Sequence, residues 1–391
     1  MTRRRVVVTG IGVVSPVGIG LPAFWQGLRT TPPDDRERRV RDFDPLHWLA
    51  PREARHLDRF THFAVAAADL AVQHAGGLPP IDPARGGVCV GTGLGGLGSL
   101  EAQIAVLAAR GPTRISPYTI PALMPNAAAA AVSMRSGWQG PCEAAATACA
   151  AGTHSIASGY RLVSDGRCDA VLAGGAEASM TPTVVAAFTV MTALSPTGRS
   201  RPFDLERDGF CISEGAAVLL LEERDAALAR GAVVHAEVLG AAATCDAFHL
   251  TAPAPAGVGA LACMRTALAD AGRVPSDIGH VNAHGTSTTL NDEAEAQAIA
   301  ELFGPKAVPV TSIKGVTGHG FGAAGALEAA AVVLSFTHRE LPPTMGTRHV
   351  EPGWGIDVVL EPRPWDPKPA VSNSFGFGGH NGSLVLAPPG P

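Results

Sequence analysis

Lysine is nearly missing from this sequence: Lys306, Lys314 and Lys368 stand against 27 arginines. With abundant alanine and glycine, that imbalance fits coding from a GC-rich genome. An excess of positive charge is missing too. The net charge is −5 and the pI near 6.2, so no global positive field draws the chain onto nucleic acid or an anionic membrane. No apolar run approaches the ~20 uninterrupted residues of a spanning helix. The basic lead Thr2-Arg3-Arg4-Arg5 is not followed by an apolar segment with a cleavage site, so no signal peptide is read. The seven cysteines (89, 142, 149, 168, 211, 245 and 263) form no C-x-x-C pair and no framework spacing. An odd, dispersed set points to reduced thiols in a cytoplasm, most of them small core residues, and no metal site is expected. The 46 Gly and 32 Pro are scattered rather than periodic, which excludes a collagen-like or low-complexity chain. A soluble, cytoplasmic, globular protein is expected.

What is present is ample apolar material, 46% of 391 residues, enough for one large domain or two fused smaller ones. Val6-Val7-Val8-Thr9-Gly10 is a buried strand signal. Residues 30–58 are rich in Pro, Asp and Arg and predict a surface loop with a short helix. Phe60 to Ala75 predicts a helix, and Gly87–Val90 a short strand running into a glycine-rich turn. A faint repeat is more informative. Ala144–Ala148 leads into Cys149 and a helix with apolar Ile156, Tyr160 and Val163. Val308–Ile313 leads through Gly318-His319-Gly320 into a helix with Leu327, Ala330, Ala331 and Leu334. Both show helical spacing after a short strand and a small-residue turn. Strand signals follow each helix, at 170–173 and 216–222, and then at 357–361, 370–374 and 383–386. Two similar α/β halves are expected, 1–240 and 241–391, with sheets covered by helices.

Four segments carry chemistry. In Thr147-Ala148-Cys149-Ala150-Ala151-Gly152 a cysteine opens a helix, where free N–H groups and the helix dipole favour thiolate. Alone, this does not outweigh a buried structural cysteine. In Val281-Asn282-Ala283-His284-Gly285-Thr286-Ser287-Thr288 a strand ends in a histidine among hydroxyls, suited to bonding a carbonyl or moving a proton. In Ser312-Ile313-Lys314-Gly315-Val316-Thr317-Gly318-His319-Gly320 one of the rare lysines sits at a buried-looking strand end. His319 there mirrors Cys149 in the repeat. Glu328, on a largely apolar helix, is the expected partner of Lys314, since a buried charge requires one; a purely structural salt bridge would read the same way. In Asn373-Ser374-Phe375-Gly376-Phe377-Gly378-Gly379-His380-Asn381 glycines around aromatics let backbone approach a ligand or let a loop swing.

Taken together and in this order, TACAAG, NAHGTST, the K-G-V-T-G-H run and NSFGFGGHN resemble the β-ketoacyl synthases of the thiolase superfamily. The resemblance extends to V-V-V-T-G-I-G-V-V-S-P at the start and R-D-G-F at 207–210. It is nearest to elongating synthases with a Cys-His-His centre, because chain-initiating relatives carry Asn at the position of His319. The resemblance implies a thiolase-like fold in α-β-α-β-α layers and a β-ketoacyl-acyl-carrier-protein synthase. Cys149 would be acylated from a carrier-protein phosphopantetheine, with the N–H groups of Cys149 and Phe377 as oxyanion hole. His284 and His319 would bond the malonyl thioester oxygen, and Lys314 held by Glu328 would set their orientation. Phe377 would act as gate, Leu94 would line the acyl pocket, Thr286 and Thr288 would flank the malonyl path, and Phe375 would contact substrate. No cofactor of its own is implied, only substrates on acyl carrier protein. The implied partners are that carrier and a second copy or a chain-length-factor-like subunit. The short loop at 30–45, the turn Ser195–Arg199, Gly315 and Gly320-Phe321 depart from the usual fatty-acid enzymes and tilt the expectation towards type II polyketide assembly over fatty-acid elongation.

Three rivals are weaker. Gly91-Thr92-Gly93-Leu94-Gly95-Gly96 satisfies a dinucleotide glycine pattern, but the acidic residue expected about 20 positions on is missing. A thiolase would need a second cysteine near the C-terminus, whereas the last one is Cys263. A non-catalytic structural subunit would not keep Cys149.

Overall fold

Ten consecutive buried residues, Val6–Ser15, make the first strand, β1. In the computed structural model, which describes residues 3–390, β1 lies near the middle of a twelve-stranded sheet. Thr2 of the basic lead lies outside the described residues; Arg3, Arg4 and Arg5 pair with Asp270, Asp169 and Glu237.

The first half supplies β1, β2 (Gly18–Ile19), β3 (Gly86–Gly91), β4 (Cys142–Glu143), β5 (Ala170–Glu177) and β6 (Gly215–Glu223). The second supplies β7 (Ala236–Cys245), β8 (His280–Asn282), β9 (Pro309–Thr311), β10 (Asp357–Val358), β11 (Ala370–Gly376) and β12 (His380–Ala387). Side by side they run β4-β3-β5-β6-β1 and then β7-β12-β11-β8-β9-β10, with β2 hairpinned onto β1. Without β2 and β10, each half reads third, second, fourth, fifth, first from its outer edge inward. The strand directions match as well. The outer three of each half are parallel and the inner two antiparallel. β1 and β7 join the halves through the antiparallel pair Val6↔Val238. The last strand of the first set ends at Glu223 and the first of the second set begins at Ala236, with the expected boundary at 240 lying within β7.

Helix α1 (Arg59–His74) covers β1, β5 and β6 on one outer face, and α3 (Val258–Asp270) covers β7 and β12 on the other. Helices α2 (Ala151–Ser164) and α5 (Ala324–His338) each touch strands of both halves and one another. They form the middle of a helix–sheet–helix–sheet–helix stack. This explains their small residues: every residue from Ala324 to Phe336 is buried, and a wide side chain would push the halves apart. Phe321–His338 is apolar and long enough by composition to cross a membrane, but 89% of that stretch is buried inside the protein. It is a core helix.

Two expectations need correction. Residues 30–58 are not merely surface loop: Glu37–Arg38 pairs with Ile212–Ser213, and Val40, Phe43 and Leu49 are buried. Three apolar residues spread through Pro and Arg have no periodicity to announce them. The strand expected over 357–361 is only Asp357–Val358, an outer-edge strand with a single neighbour, β9.

Candidate active site

Cys149 sits in a single tight turn, Ala148–Ala150, just before α2. Ala148 takes the left-handed φ of 50°, an uncommon conformation for a residue with a Cβ that the surrounding structure must enforce. The turn backs directly onto β11. A Cβ on Gly376 would lie 3.0 Å from Thr147 O and 3.1 Å from Cys149 N, so only glycine lets the two backbones meet. That approach brings the backbone N–H groups of Cys149 and Phe377 to bear on the Cys149 thiol, where both favour the thiolate.

Burial pushes the Cys149 thiol up to about 12, against the pull of Lys314 and the Phe377 and Cys149 amides. Enclosure thus works against the thiolate that the helix terminus favours. Sγ lies 3.0 Å from His319 Nε2, within reach for proton transfer. Iodoacetamide alkylation of Cys149, followed by peptide mass mapping, is expected to climb about tenfold per pH unit between pH 6 and 9. A plateau below pH 8 would mean a resting thiolate.

His284 lies two residues beyond β8. Its N–H and that of Gly285 donate to the two oxygens of Glu295, both at 2.8 Å. Lys314, at the start of the turn after β9, donates to His284 O at 2.6 Å, lies 3.3 Å from His284 Nδ1 and pairs with Glu328. An ammonium only donates, so Nδ1 holds the lone pair and Nε2 carries the proton. His319 is held by its backbone, with N donating to Cys211 O at 2.7 Å and O accepting from Ser213 N at 3.0 Å. The two imidazoles meet edge to face, centroids 5.3 Å apart. Burial first, then the Lys314 charge, holds both histidines well below their usual range. Both are neutral at physiological pH and offer hydrogen bonds rather than charge. Sγ and one nitrogen of each ring lie within 4.8 Å of one another. A Cys-His-His triangle is also a zinc donor set, but the Lys314 ammonium beside it opposes a cation.

These groups face a cavity of about 560 Å³. It brings together Cys149, His284, His319, Thr286 and Thr288 with Leu94, Phe375 and Phe377. Lys314 and Glu328 stand behind the histidines, each 1% exposed. Thr286 and Thr288 hydroxyls are 2.9 Å apart. Phe375 and Phe377 are half-buried, and Gly378 and Gly379 beyond them have φ of 83° and 74°.

Several residues escaped the sequence reading. Phe188, Phe210 and Phe321 form an aromatic wall beside Cys149, with Phe188 and Phe321 stacked at 5.1 Å. Glu177 accepts from Gly93 N at 2.6 Å and Gly322 N at 3.2 Å, tying the Leu94 loop to the segment after His319. Asp292 and Glu295, in the first turns of a helix (α4, Thr289–Phe303), are fully buried beneath the His284 loop. Burial pushes Glu177 and Glu295 up to about 7 and Asp292 to about 6. Asn-Asp-Glu-Ala-Glu reads as a solvated first turn; nothing in the string shows that it faces inward.

The chain matches the family models for the N-terminal domain of β-ketoacyl synthase over residues 30–227 and for the C-terminal domain over 235–348. It is 41% identical to the 3-oxoacyl-[acyl-carrier-protein] synthase 2 of Synechocystis sp., covering 99% of this chain and 98% of that one. It is 39% identical to the protein of the same name from Vibrio harveyi, over 99% of each. Among solved structures, the ishigamide ketosynthase/chain length factor superposes with a TM-score of 0.94 at 34% identity, covering 100% of both chains. A type II polyketide acyl-carrier protein in complex with its ketosynthase bound to the hexaketide gives a TM-score of 0.90 at 30% identity. That match covers 99% of this chain and 100% of that one.

Proposed function

The chain belongs to the β-ketoacyl synthase family, and on that premise we propose that it lengthens a carrier-bound acyl thioester by decarboxylative Claisen condensation. The observation that carries this reading is the 3.0 Å contact between Cys149 Sγ and His319 Nε2, with a nitrogen of His284 in the same buried cluster.

Two half-reactions follow. Cys149 passes its proton to His319 and attacks the acyl thioester carbon; the N–H groups of Cys149 and Phe377 hold the oxyanion, and the pantetheine thiolate leaves with a proton. Malonyl-carrier then enters past Thr286 and Thr288, with Phe375 against its arm. As the C–CO2 bond breaks, its electron pair becomes an enolate whose oxygen takes hydrogen bonds from His284 and His319. Lys314, held by Glu328, keeps the His284 proton on Nε2. The enolate carbon attacks acyl-Cys149, and the C–S bond breaks to release β-ketoacyl-carrier and a thiolate that takes one proton from solvent to restore the Cys149 thiol. Phe377 gates the acyl chain, which lies along Leu94, Phe188 and Phe321. The enzyme needs no cofactor of its own and works in the cytoplasm. It pairs with a second copy or a chain-length-factor-like subunit, a reading supported by exposed Ile104, Leu107 and Ile120 beyond Leu94.

Type II polyketide assembly is the reading we favour, supported by the ketosynthase structures the fold overlays. The apolar wall of Phe188, Phe210 and Phe321 supports an acyl chain with a reduced β-carbon. Fatty-acid elongation is the second reading, favoured by the names of the 39–41% identical relatives. Intact-mass spectrometry after exposure to a panel of acyl-carrier thioesters tests both. A covalent acyl adduct should form and disappear on adding malonyl-carrier, leaving β-ketoacyl-carrier, and the preferred donor distinguishes the pathways. If no donor acylates the protein, even beside a candidate partner subunit, the condensing reading is wrong.

A further inference from the structure

His154 stands five residues after Cys149, in the first turn of α2, and both its ring nitrogens are occupied. Nδ1 is 2.9 Å from Thr147 Oγ1 and Nε2 is 3.0 Å from the backbone O of Asn381. A carbonyl only accepts, so Nε2 carries the proton and Nδ1 accepts from the Thr147 hydroxyl. Burial lowers the affinity of the ring for a second proton, which keeps this tautomer neutral. The ring thus bridges two segments distant in sequence. Thr147 lies two residues before Cys149, and Asn381 lies four residues after Phe377. These segments carry the two N–H groups that bear on the Cys149 thiol.

We infer that His154 is a positioning residue that sets the spacing of the Cys149 and Phe377 amides by clamping the nucleophile turn to the β11–β12 hairpin. The inference rests on the condensing reading above. Its neighbour Thr153 clamps the other hairpin strand, Oγ1 lying 2.8 Å from Ser374 Oγ. The two contacts straddle Phe377. Gly382 leaves room for the ring, since a Cβ there would sit 3.1 Å from His154 Cδ2. The arrangement answers a mechanical conflict. The tip Phe377-Gly378-Gly379 has glycines suited to movement, yet the Phe377 N–H must hold its place to stabilise an oxyanion. A clamp at the strand ends lets the Phe377 ring swing while its amide stays.

The oxyanion amides serve acyl transfer onto Cys149, whereas malonyl decarboxylation runs on His284 and His319. A positioning role therefore predicts a split between two rates. In His154→Ala, acylation of Cys149 by the wild-type enzyme's preferred acyl-carrier should slow about 10- to 100-fold. Carbon dioxide release from malonyl-carrier without an acyl donor should stay within about twofold of wild type. His154→Asn, reaching towards Thr147, and His154→Gln, reaching towards Asn381, should each restore part of the acylation rate and carry the test if the alanine variant folds poorly. Unchanged acylation in all three, or both rates falling together with the melting temperature, would overturn the clamp. Failure of the wild type to acylate is a separate outcome: it would sink the condensing reading, and the inference with it.

Discussion

Cys149→Ala is expected to take up no acyl group and to lose condensation by about 10⁴-fold or more, yet to keep releasing carbon dioxide from malonyl-carrier. The two halves of the chemistry are held by different parts of the fold. On the proposed mechanism the nucleophile turn and the Phe377 amide serve acyl transfer. In the same mechanism His284 and His319 face the enolate with Lys314 behind them, and all three are fixed by contacts that do not involve the Cys149 side chain: Glu295 beneath His284, the backbone of Cys211 and Ser213 beside His319, and Glu328 beside Lys314. Truncating one sulfur leaves these in place. The measurement pairs intact mass with released carbon dioxide on the same protein. Loss of both activities in a variant that melts like wild type would mean that Cys149 also organises the histidines, contrary to the geometry.

Lys314→Ala should give the opposite pattern. Decarboxylation should fall by about 10²- to 10³-fold, the usual effect of losing one aligned donor at a developing oxyanion, while Cys149 still takes up an acyl group. Without the ammonium, His284 Nδ1 is free to take the proton, and the ring then presents a lone pair where the enolate needs a donor. Stability should fall by about 3–5 kcal/mol, the cost of breaking a buried pair by removing one partner. Glu328 is 1% exposed in its side chain, and burial already pushes its carboxyl up to about 7; alone it will keep its proton and lack an acceptor. The double variant Lys314→Met with Glu328→Leu fills the same space with apolar atoms and should recover much of the lost stability but none of the decarboxylation. Denaturant unfolding with the carbon dioxide assay checks both. If the double variant regained activity, Lys314 would be packing and nothing more.

The candidate site was legible where chemistry is written into contiguous residues. Cys149, His284, Lys314 and His319 stand in motifs of small residues that fit no ordinary core, and their common order along the chain made each more specific. Glu328 was legible by a charge argument, since a carboxylate on an apolar helix needs a partner. The repeat was visible only as two helices after two strands. Its full form, the same strand order and directions in both halves, needed the pairing of residues far apart, such as Val6 with Val238.

Other features left no trace in the string. Phe188 is an ordinary apolar residue until the fold sets it beside Cys149, and Asp292 and Glu295 look solvated until a loop closes over them. His154 is an ordinary helix residue until the fold sets Thr147 and Asn381 at its two nitrogens. The protonation of Cys149 turned on the same distinction. Its place at a helix start is a local fact that favours thiolate, but its enclosure, which opposes thiolate, depends on residues from across the whole chain. Residue type, spacing and order by themselves determined which atoms are proposed to carry the chemistry, because bond-making groups are few and covalently specified. Burial, tautomer and the spacing between the oxyanion amides were decided only by the tertiary structure, because each depends on which distant segments displace water around a group.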